Sequence, residues 1–322
     1  MKIVCYDPHV RRNDLEDAIS GFNGVTFERP ASLGDFSRSL SAAEVLVIGN
    51  RAYTKEAADT ILAYGQALRW IQFTTSGLDN ATKFGMPPGL VVTNASGLRA
   101  FCVAEHALML MLALVRSLRN TEQGQRSGAW SRDHVTPLMD NLAGKHLVIV
   151  GAGAIGQEIA RKAAAFDMRI TGVSRSARPI AHFAQIRPRA ELKDAASEAD
   201  ILVIAANYAD DTRAMISRDI IAAMKSGAYL VNIARGALID EDALVEALQR
   251  NNLAGAGLDV TEEEPLPTNH LLYGLTNVIV TPHIGGAGSS GTGAGMGKIL
   301  ADNLRLWIAG EKLEKVVIDR TP

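Results

Sequence analysis

His146-Leu-Val-Ile-Val150 runs into Gly151-Ala-Gly153-Ala-Ile-Gly156 and on into Gln157-Glu-Ile-Ala-Arg-Lys162. Five residues rich in β-branched and apolar side chains predict a buried strand, and the mixed pattern after the third glycine predicts a helix. Gly151 permits the tight turn between them. Gly153 lets the backbone approach a pyrophosphate, and Gly156 lets the helix pack close on the strand. The helix N-terminus, with Ala154 and Ile155 in its first turn, favours negative charge. Strand, glycine turn and helix in this order predict a dinucleotide site.

The next strand, 169–173, leads into Ser174-Arg175-Ser176-Ala177-Arg178. A carboxylate about 20 residues beyond the first glycine would accept the ribose hydroxyls of NAD. Ser174 stands there instead, 23 residues after Gly151, with Arg175, Ser176 and Arg178 beside it. Guanidinium and hydroxyl groups bind a 2′-phosphate that a carboxylate would repel. NADP is therefore expected in preference to NAD, with NAD possible.

Working outward, strand-like runs recur at 2–6, 25–28, 44–48, 70–74, 90–93, 147–150, 169–173, 201–205, 230–233, 256–259 and 278–281. Helical stretches such as 54–64, 155–166 and 241–250 lie between them. The alternation predicts an α/β protein with doubly wound parallel sheets. Five strand candidates precede residue 95 and six follow a long helical pattern at 99–119, so two lobes fit better than one. That helix is apolar nearly all round, which predicts a place between the lobes or in a subunit interface.

The 322 residues fit two domains on a prior of about 150 residues each. Apolar residues make up 47% and charged residues 21%, and the net charge is −2, so no global basic field invites nucleic acid or anionic lipid. Cys5 and Cys102 form neither a disulfide framework nor a zinc cluster. The longest apolar run is nine residues, against roughly 18 for a membrane span. A cytoplasmic protein without metal is expected.

Three residues past predicted strands could carry chemistry. Arg235 ends Tyr229-Leu-Val-Asn-Ile-Ala-Arg235, Glu264 lies in Thr261-Glu-Glu-Glu264-Pro265, and His283 follows 278–281 in Thr281-Pro-His283-Ile-Gly285. Ligands of open α/β sheets sit outside the carboxyl ends of strands. An imidazole beside a carboxylate is favoured in its protonated form and can deliver a proton near neutral pH. An arginine nearby can hold a carboxylate and polarise a keto oxygen, while a nicotinamide supplies a hydride. His106, inside the apolar helix, reads as a satisfied core residue.

In these segments the chain resembles the D-isomer-specific 2-hydroxyacid dehydrogenases. The resemblance extends through Thr75-Ser-Gly77-Leu-Asp79-Asn80, Val103-Ala-Glu-His106, Val231-Asn-Ile-Ala-Arg235-Gly236, Gly257-Leu-Asp259-Val and Thr281-Pro-His283-Ile-Gly285. It implies His283 as acid/base, Glu264 as its partner, and Arg235 as ligand of the substrate carboxylate and carbonyl. It implies Asn50, Arg51 and the amides around Ser76 and Gly77 as further substrate contacts. Asp259, Arg235, His283, Gly285 and the backbone near Ile233 and Ala234 would hold the nicotinamide, and Ala206, Asn207 and Thr212 the adenosine side. A Rossmann cofactor domain at 99–289, inserted into a flavodoxin-like substrate domain at 1–98 and 290–322, is the implied organisation, with a homodimer through the cofactor domain. The loop at 174–178 is similar to that of the NADPH-using glyoxylate and hydroxypyruvate reductases in this family. Oxidation of another small anion, such as formate or phosphite, is an alternative on the same scaffold. A nucleotide-sensing corepressor-like role is a further one.

Glycine totals 29 residues, and seven of them crowd the thirteen positions from Gly285 to Gly297. Each glycine inside a helix costs about 1 kcal/mol relative to alanine. A weak helix there, forming a compliant hinge or lid next to His283, is expected.

Overall fold

The computed structural model describes residues 1–8, 10, 12–288 and 292–319. The chain forms two compact units, Met1–Leu98 with Ser289–Pro322, and Arg99–Gly288.

The first unit is a six-stranded sheet built from β1 (Lys2–Tyr6), β2 (Thr26–Glu28), β3 (Val45–Ile48), β4 (Trp70–Phe73) and β5 (Val91–Thr93), closed by a C-terminal strand. Its order is C-terminal strand, β5, β4, β3, β1, β2, and all neighbours are parallel except the C-terminal strand (Val316–Asp319), which is antiparallel to β5. The second unit is a seven-stranded parallel sheet: β6 (His146–Val150), β7 (Arg169–Ser174), β8 (Gln185–Pro188), β9 (Ile201–Ile204), β10 (Ala228–Asn232), β11 (Leu253–Leu258) and β12 (Val278–Val280). Its order is β12-β11-β10-β9-β6-β7-β8.

Both sheets are buried on both faces, as parallel sheets require. In β6, Val148 and Val150 join one core while Leu147 and Ile149 join the other. In the first unit Leu46 and Ile48 face one core, and Val45 and Val47 the opposite one.

Two strands escape the sequence reading. The edge strand β8, Gln-Ile-Arg-Pro, is only half-buried and ends in proline, so it lacks the apolar run of a central strand. The C-terminal strand alternates half-buried and exposed positions against an edge.

The long helix predicted at 99–119 is two helices, Ala100–Val115 and Leu118–Arg126, bent by 67°. Ser117 adopts φ 48° at the break. The first helix covers one face of the seven-stranded sheet within the second unit. Its Ala104, Ala107, Leu110, Met111 and Leu114 are buried there against Leu147, Ile149 and Val231. Among the described residues no single helix is long and apolar enough to cross a membrane.

In the glycine-dense segment a helix spans Thr292–Ala309, with glycines 293, 295 and 297 inside it. A Cβ on Gly297 would stand 2.9 Å from the Ala18 Cβ and collide with the Asp14 carbonyl, so this glycine permits close approach of the helix Arg12–Ile19. Packing offsets the propensity cost that the sequence alone makes visible. Upstream, the Gly285 amide and the Gly286 carbonyl are each hydrogen-bonded, to Asp259 and Arg99, so this part of the expected hinge is tethered. Gly291 lies outside the described residues.

Candidate active site

Strands β10, β11 and β12 are consecutive neighbours in the parallel sheet, so their carboxyl ends lie side by side. The chain leaves them at Arg235, at the loop 259–264 and at His283. Topology thus brings to one edge three residues that are 48 positions apart in sequence at the extremes (283 − 235).

His283 Nδ1 lies 2.7 Å from Glu264 Oε2, and the two side chains are 38% and 37% exposed. A carboxylate only accepts, so Nδ1 carries the proton and Nε2 is the nitrogen that exchanges a proton with a ligand. Glu264 is held in turn by the Thr261 amide at 3.4 Å, within a turn that the Thr261 hydroxyl closes onto the Glu263 carbonyl at 2.7 Å.

His283 sits in the left-handed backbone region at φ 54°. A non-glycine residue pays of order 1 kcal/mol or more for this and keeps it only where its surroundings enforce it. Here the His283 amide donates to the Asp259 carbonyl at 2.8 Å and the Thr281 carbonyl at 2.9 Å. The next two amides, of Ile284 and Gly285, donate to Asp259 Oδ1 at 2.9 Å and Oδ2 at 2.8 Å. The left-handed turn is what lets successive amides converge on one carboxylate, as in an anion-binding nest.

Asp259 is 3% exposed. Burial pushes its carboxyl pKa up, but hydrogen bonds from His106, Thr281 and the two amides outweigh this, and the net shift is downward. Asp259 therefore stays ionised, with its carboxylate oxygens accepting from the Ile284 and Gly285 amides of the His283 loop.

Arg235 is placed by Asn232, a fully buried amide at the end of β10. Asn232 Nδ2 donates to the Arg235 carbonyl at 2.9 Å and its Oδ1 accepts from the Ala234 amide at 3.0 Å. The half-buried guanidinium donates to the Ala234 carbonyl at 2.6 Å. At Gly236 any Cβ would overlap the Thr261 and Glu262 backbone. The Arg235 turn and the acidic loop are therefore in direct backbone contact. Ile233 and Ala234 keep their side chains in the core, which leaves backbone to face a ligand.

The glycine turn has the properties the spacing predicts. Gly151 has φ 105°, and a Cβ there would stand 2.6 Å from the Ala205 carbonyl oxygen and 2.7 Å from the Ala206 nitrogen. A Cβ on Gly156 would collide with the Gly151 carbonyl. Gly153 caps the helix Ala154–Ala164 without a side-chain acceptor, and a Cβ there meets nothing within 4 Å. The first amides of that helix are thus open to an anion. These observations fit a dinucleotide pyrophosphate. Two substitutions separate the roles. Gly156→Ala should destabilise the fold, seen as a lower unfolding midpoint. Gly153→Val should leave the midpoint within about 1 kcal/mol but weaken dinucleotide binding by tenfold or more, about 1.4 kcal/mol.

Ser174 ends β7 half-buried, and Arg175, Ser176 and Arg178 are exposed. Neither arginine has a hydrogen-bond or ion-pair partner among the described residues. On the adenosine side, Ala206 abuts Gly151 and Asn207 follows it, but the Thr212 hydroxyl is turned inward. It accepts from the Ala209 amide at 2.7 Å and donates to the Ala209 carbonyl at 2.8 Å, closing its own loop.

In the first unit, the Asn50 carboxamide is engaged rather than free. Its oxygen accepts from the Asn80 amide at 2.9 Å, so it organises the start of the helix Asp79–Phe84. Arg51 beside it is exposed. The carbonyls of Ser76 and Gly77 accept from Asn94 Nδ2 at 2.8 Å and Thr75 Oγ1 at 3.0 Å. Their amides have no acceptor among the described residues, an arrangement suited to a carboxylate.

Sequence reasoning missed Asn232 and Thr281 and set His106 aside. A polar residue closing an apolar strand, as in Tyr229-Leu-Val-Asn232, is the signal available for the first.

Residues 108–285 match the family model for the D-isomer specific 2-hydroxyacid dehydrogenase, NAD binding domain. A glyoxylate reductase of Thermococcus gammatolerans is 41% identical over 231 residues, covering 69% of this chain and 68% of that one. Among solved structures, a D-isomer specific 2-hydroxyacid dehydrogenase family protein of Aeromonas salmonicida superposes with a TM-score of 0.85 at 27% identity, covering 98% of each chain. An NADPH-dependent glyoxylate/hydroxypyruvate reductase of Sinorhizobium meliloti superposes with a TM-score of 0.77 at 27% identity, over 99% of this chain and 98% of that one.

Proposed function

Because the chain belongs to the D-isomer-specific 2-hydroxyacid dehydrogenase family, an oxidoreductase family with a nicotinamide cofactor, we propose that it reduces a small 2-keto acid with NADPH. Glyoxylate or hydroxypyruvate is the substrate type, and a D-2-hydroxy acid the product where C2 becomes a stereocentre. The observation that carries the reading is the His283–Glu264 pair at the strand edge it shares with Arg235. Arg235 holds the substrate carboxylate and draws electron density to the keto oxygen. His283 Nε2 gives that oxygen its proton, and Glu264 at Nδ1 stabilises the imidazolium from which the proton leaves. The nicotinamide, when bound, supplies the hydride to C2.

The preference for NADPH rests on 174–178. Two guanidiniums unpaired among the described residues and the Ser176 hydroxyl follow β7, with the Ser174 hydroxyl at its end, where a carboxylate would select NAD. A charge-assisted hydrogen bond contributes about 1.5–3 kcal/mol, so even one to the 2′-phosphate is worth about tenfold. NADPH should bind at least tenfold more tightly than NADH by fluorescence titration, and Arg175→Ala with Arg178→Ala should erase the difference. Equal affinities in the unmodified protein would overturn this part of the reading.

The function itself is tested by kcat/KM with glyoxylate, hydroxypyruvate, pyruvate and bulkier phenyl keto acids. Turnover with formate or phosphite instead would move the chain to that alternative. Tight NADPH binding with no turnover would favour a sensor.

A homodimer through the second unit, in the cytoplasm, belongs to the same reading. It is supported by an apolar groove of about 770 Å³ on the helices Ala100–Val115 and Ala154–Ala164, lined by Leu108, Met109, Leu112 and Phe166. Trp130, 93% exposed, is an uncovered aromatic of the same unit.

A further inference from the structure

The helix Ala100–Val115 is the most apolar in the second unit, yet it directs His106 at the candidate site. His106 Nε2 lies 2.8 Å from Thr281 Oγ1 and 3.2 Å from Asp259 Oδ1. Thr281 Oγ1 in turn donates to Asp259 Oδ1 at 2.6 Å. A hydroxyl has one proton, and here it is spent on the carboxylate, so His106 Nε2 must carry the proton it offers. The chain runs one way, from His106 through Thr281 to Asp259, and ends in the carboxylate that gathers the Ile284 and Gly285 amides.

We propose that His106 and Thr281 are positioning residues for His283: they fix the Asp259 carboxylate whose grip on 284 and 285 imposes the left-handed turn that aims the imidazole. This rests on the reading of His283 as the acid. Neither residue touches Glu264 or Arg235 in the contacts described above. Their influence runs through three elements, the helix Ala100–Val115 and the ends of β11 and β12. Loss of the Thr281 hydroxyl removes one of three donors to Asp259 Oδ1 and leaves His106 without its nearest acceptor. The carboxylate then keeps the His106, Ile284 and Gly285 donors but is held less firmly, and with it the turn that places His283 at φ 54°.

Thr281→Val keeps the shape and deletes the hydroxyl, whereas Thr281→Ser keeps the hydroxyl. A misplacement of about 1 Å at a reacting group costs on the order of 10²-fold, so Thr281→Val should lower kcat by tenfold or more, with NADPH affinity unchanged. Thr281→Ser should restore the rate to within about twofold, well under 1 kcal/mol. His106→Leu, read in parallel, should act as Thr281→Val does. In a His283→Ala background neither substitution should lower turnover further, because the group being aimed is gone. Equal losses in both backgrounds would mean a merely structural role and would overturn the proposal, as would a folded Thr281→Val with full activity. The imidazole spectrum separates this from failure of the functional reading. The low-field proton of the His283 Nδ1–H bond to Glu264 should be present in the unmodified protein and in Thr281→Ser, and lost in Thr281→Val, whatever the protein turns over. Its persistence in Thr281→Val would sink the inference on its own.

Discussion

His283→Ala is expected to lower kcat for keto-acid reduction by about 10²–10⁴-fold, the range for loss of a positioned general acid, while NADPH affinity stays within about twofold, under 1 kcal/mol. The separation follows from geometry. The imidazole is tied at Nδ1 to Glu264. Its removal deletes the proton donor and leaves the dinucleotide contacts in place. Histidine occurs at positive φ more readily than alanine, but both carry the strain of φ 54°, and the difference should move the unfolding midpoint by less than about 1 kcal/mol. Glu264→Gln should have the same sign with a smaller loss, since an amide still occupies Nδ1 but no longer neutralises the imidazolium. Single-turnover kinetics with bound NADPH checks both. A chemical step in His283→Ala as fast as in the unmodified protein would remove His283 from the mechanism.

What the sequence made legible follows the same division between local and distant order. The turn at 151–156 could be read residue by residue, because strand, glycines and helix are contiguous and each glycine has its own steric reason. Gly151 and Gly156 meet backbone, and Gly153 faces open space. The central strands were legible for a related reason: burial on both faces demands apolar runs, and Leu147, Val203 and Leu230 meet that demand. Edge strands have no such demand, which is why Gln185–Pro188 left no mark.

The site was legible in its charged members and not in the polar residues that place them. Arg235, Glu264 and His283 each follow a strand and are chemically conspicuous. Asn232, Thr281 and His106 sit among apolar residues, and their meaning lies in partners 3 to 175 positions away. Asp259 could be assigned to the nicotinamide side from the resemblance, but its four donors became visible only in three dimensions. At Gly297 the sequence shows only the helix cost, because propensity is a local quantity, whereas the close approach to Asp14 and Ala18 is not.

The second large effect is expected at Arg235. Arg235→Gln should lower kcat/KM for a 2-keto acid by about 10²–10³-fold, as loss of one donor to a developing oxyanion does, and should raise KM as the carboxylate loses its counter-charge. Arg235→Lys is the sharper probe. It keeps the charge but replaces a planar fork by a point donor, so it should recover part of the KM and little of kcat. If Arg235 served binding alone, lysine would restore both. The surrounding structure limits the collateral damage. The Asn232 side chain holds the backbone at Ala234 and Arg235 rather than the guanidinium, so the turn survives either substitution. The guanidinium's contact with the Ala234 carbonyl is lost in Arg235→Gln, a local hydrogen bond worth about 1 kcal/mol. That loss is too small to account for a hundredfold effect. A kcat/KM within tenfold of the unmodified protein in Arg235→Gln would therefore exclude the guanidinium from the transition state, and would leave His283 with Glu264 to act on a substrate anchored elsewhere.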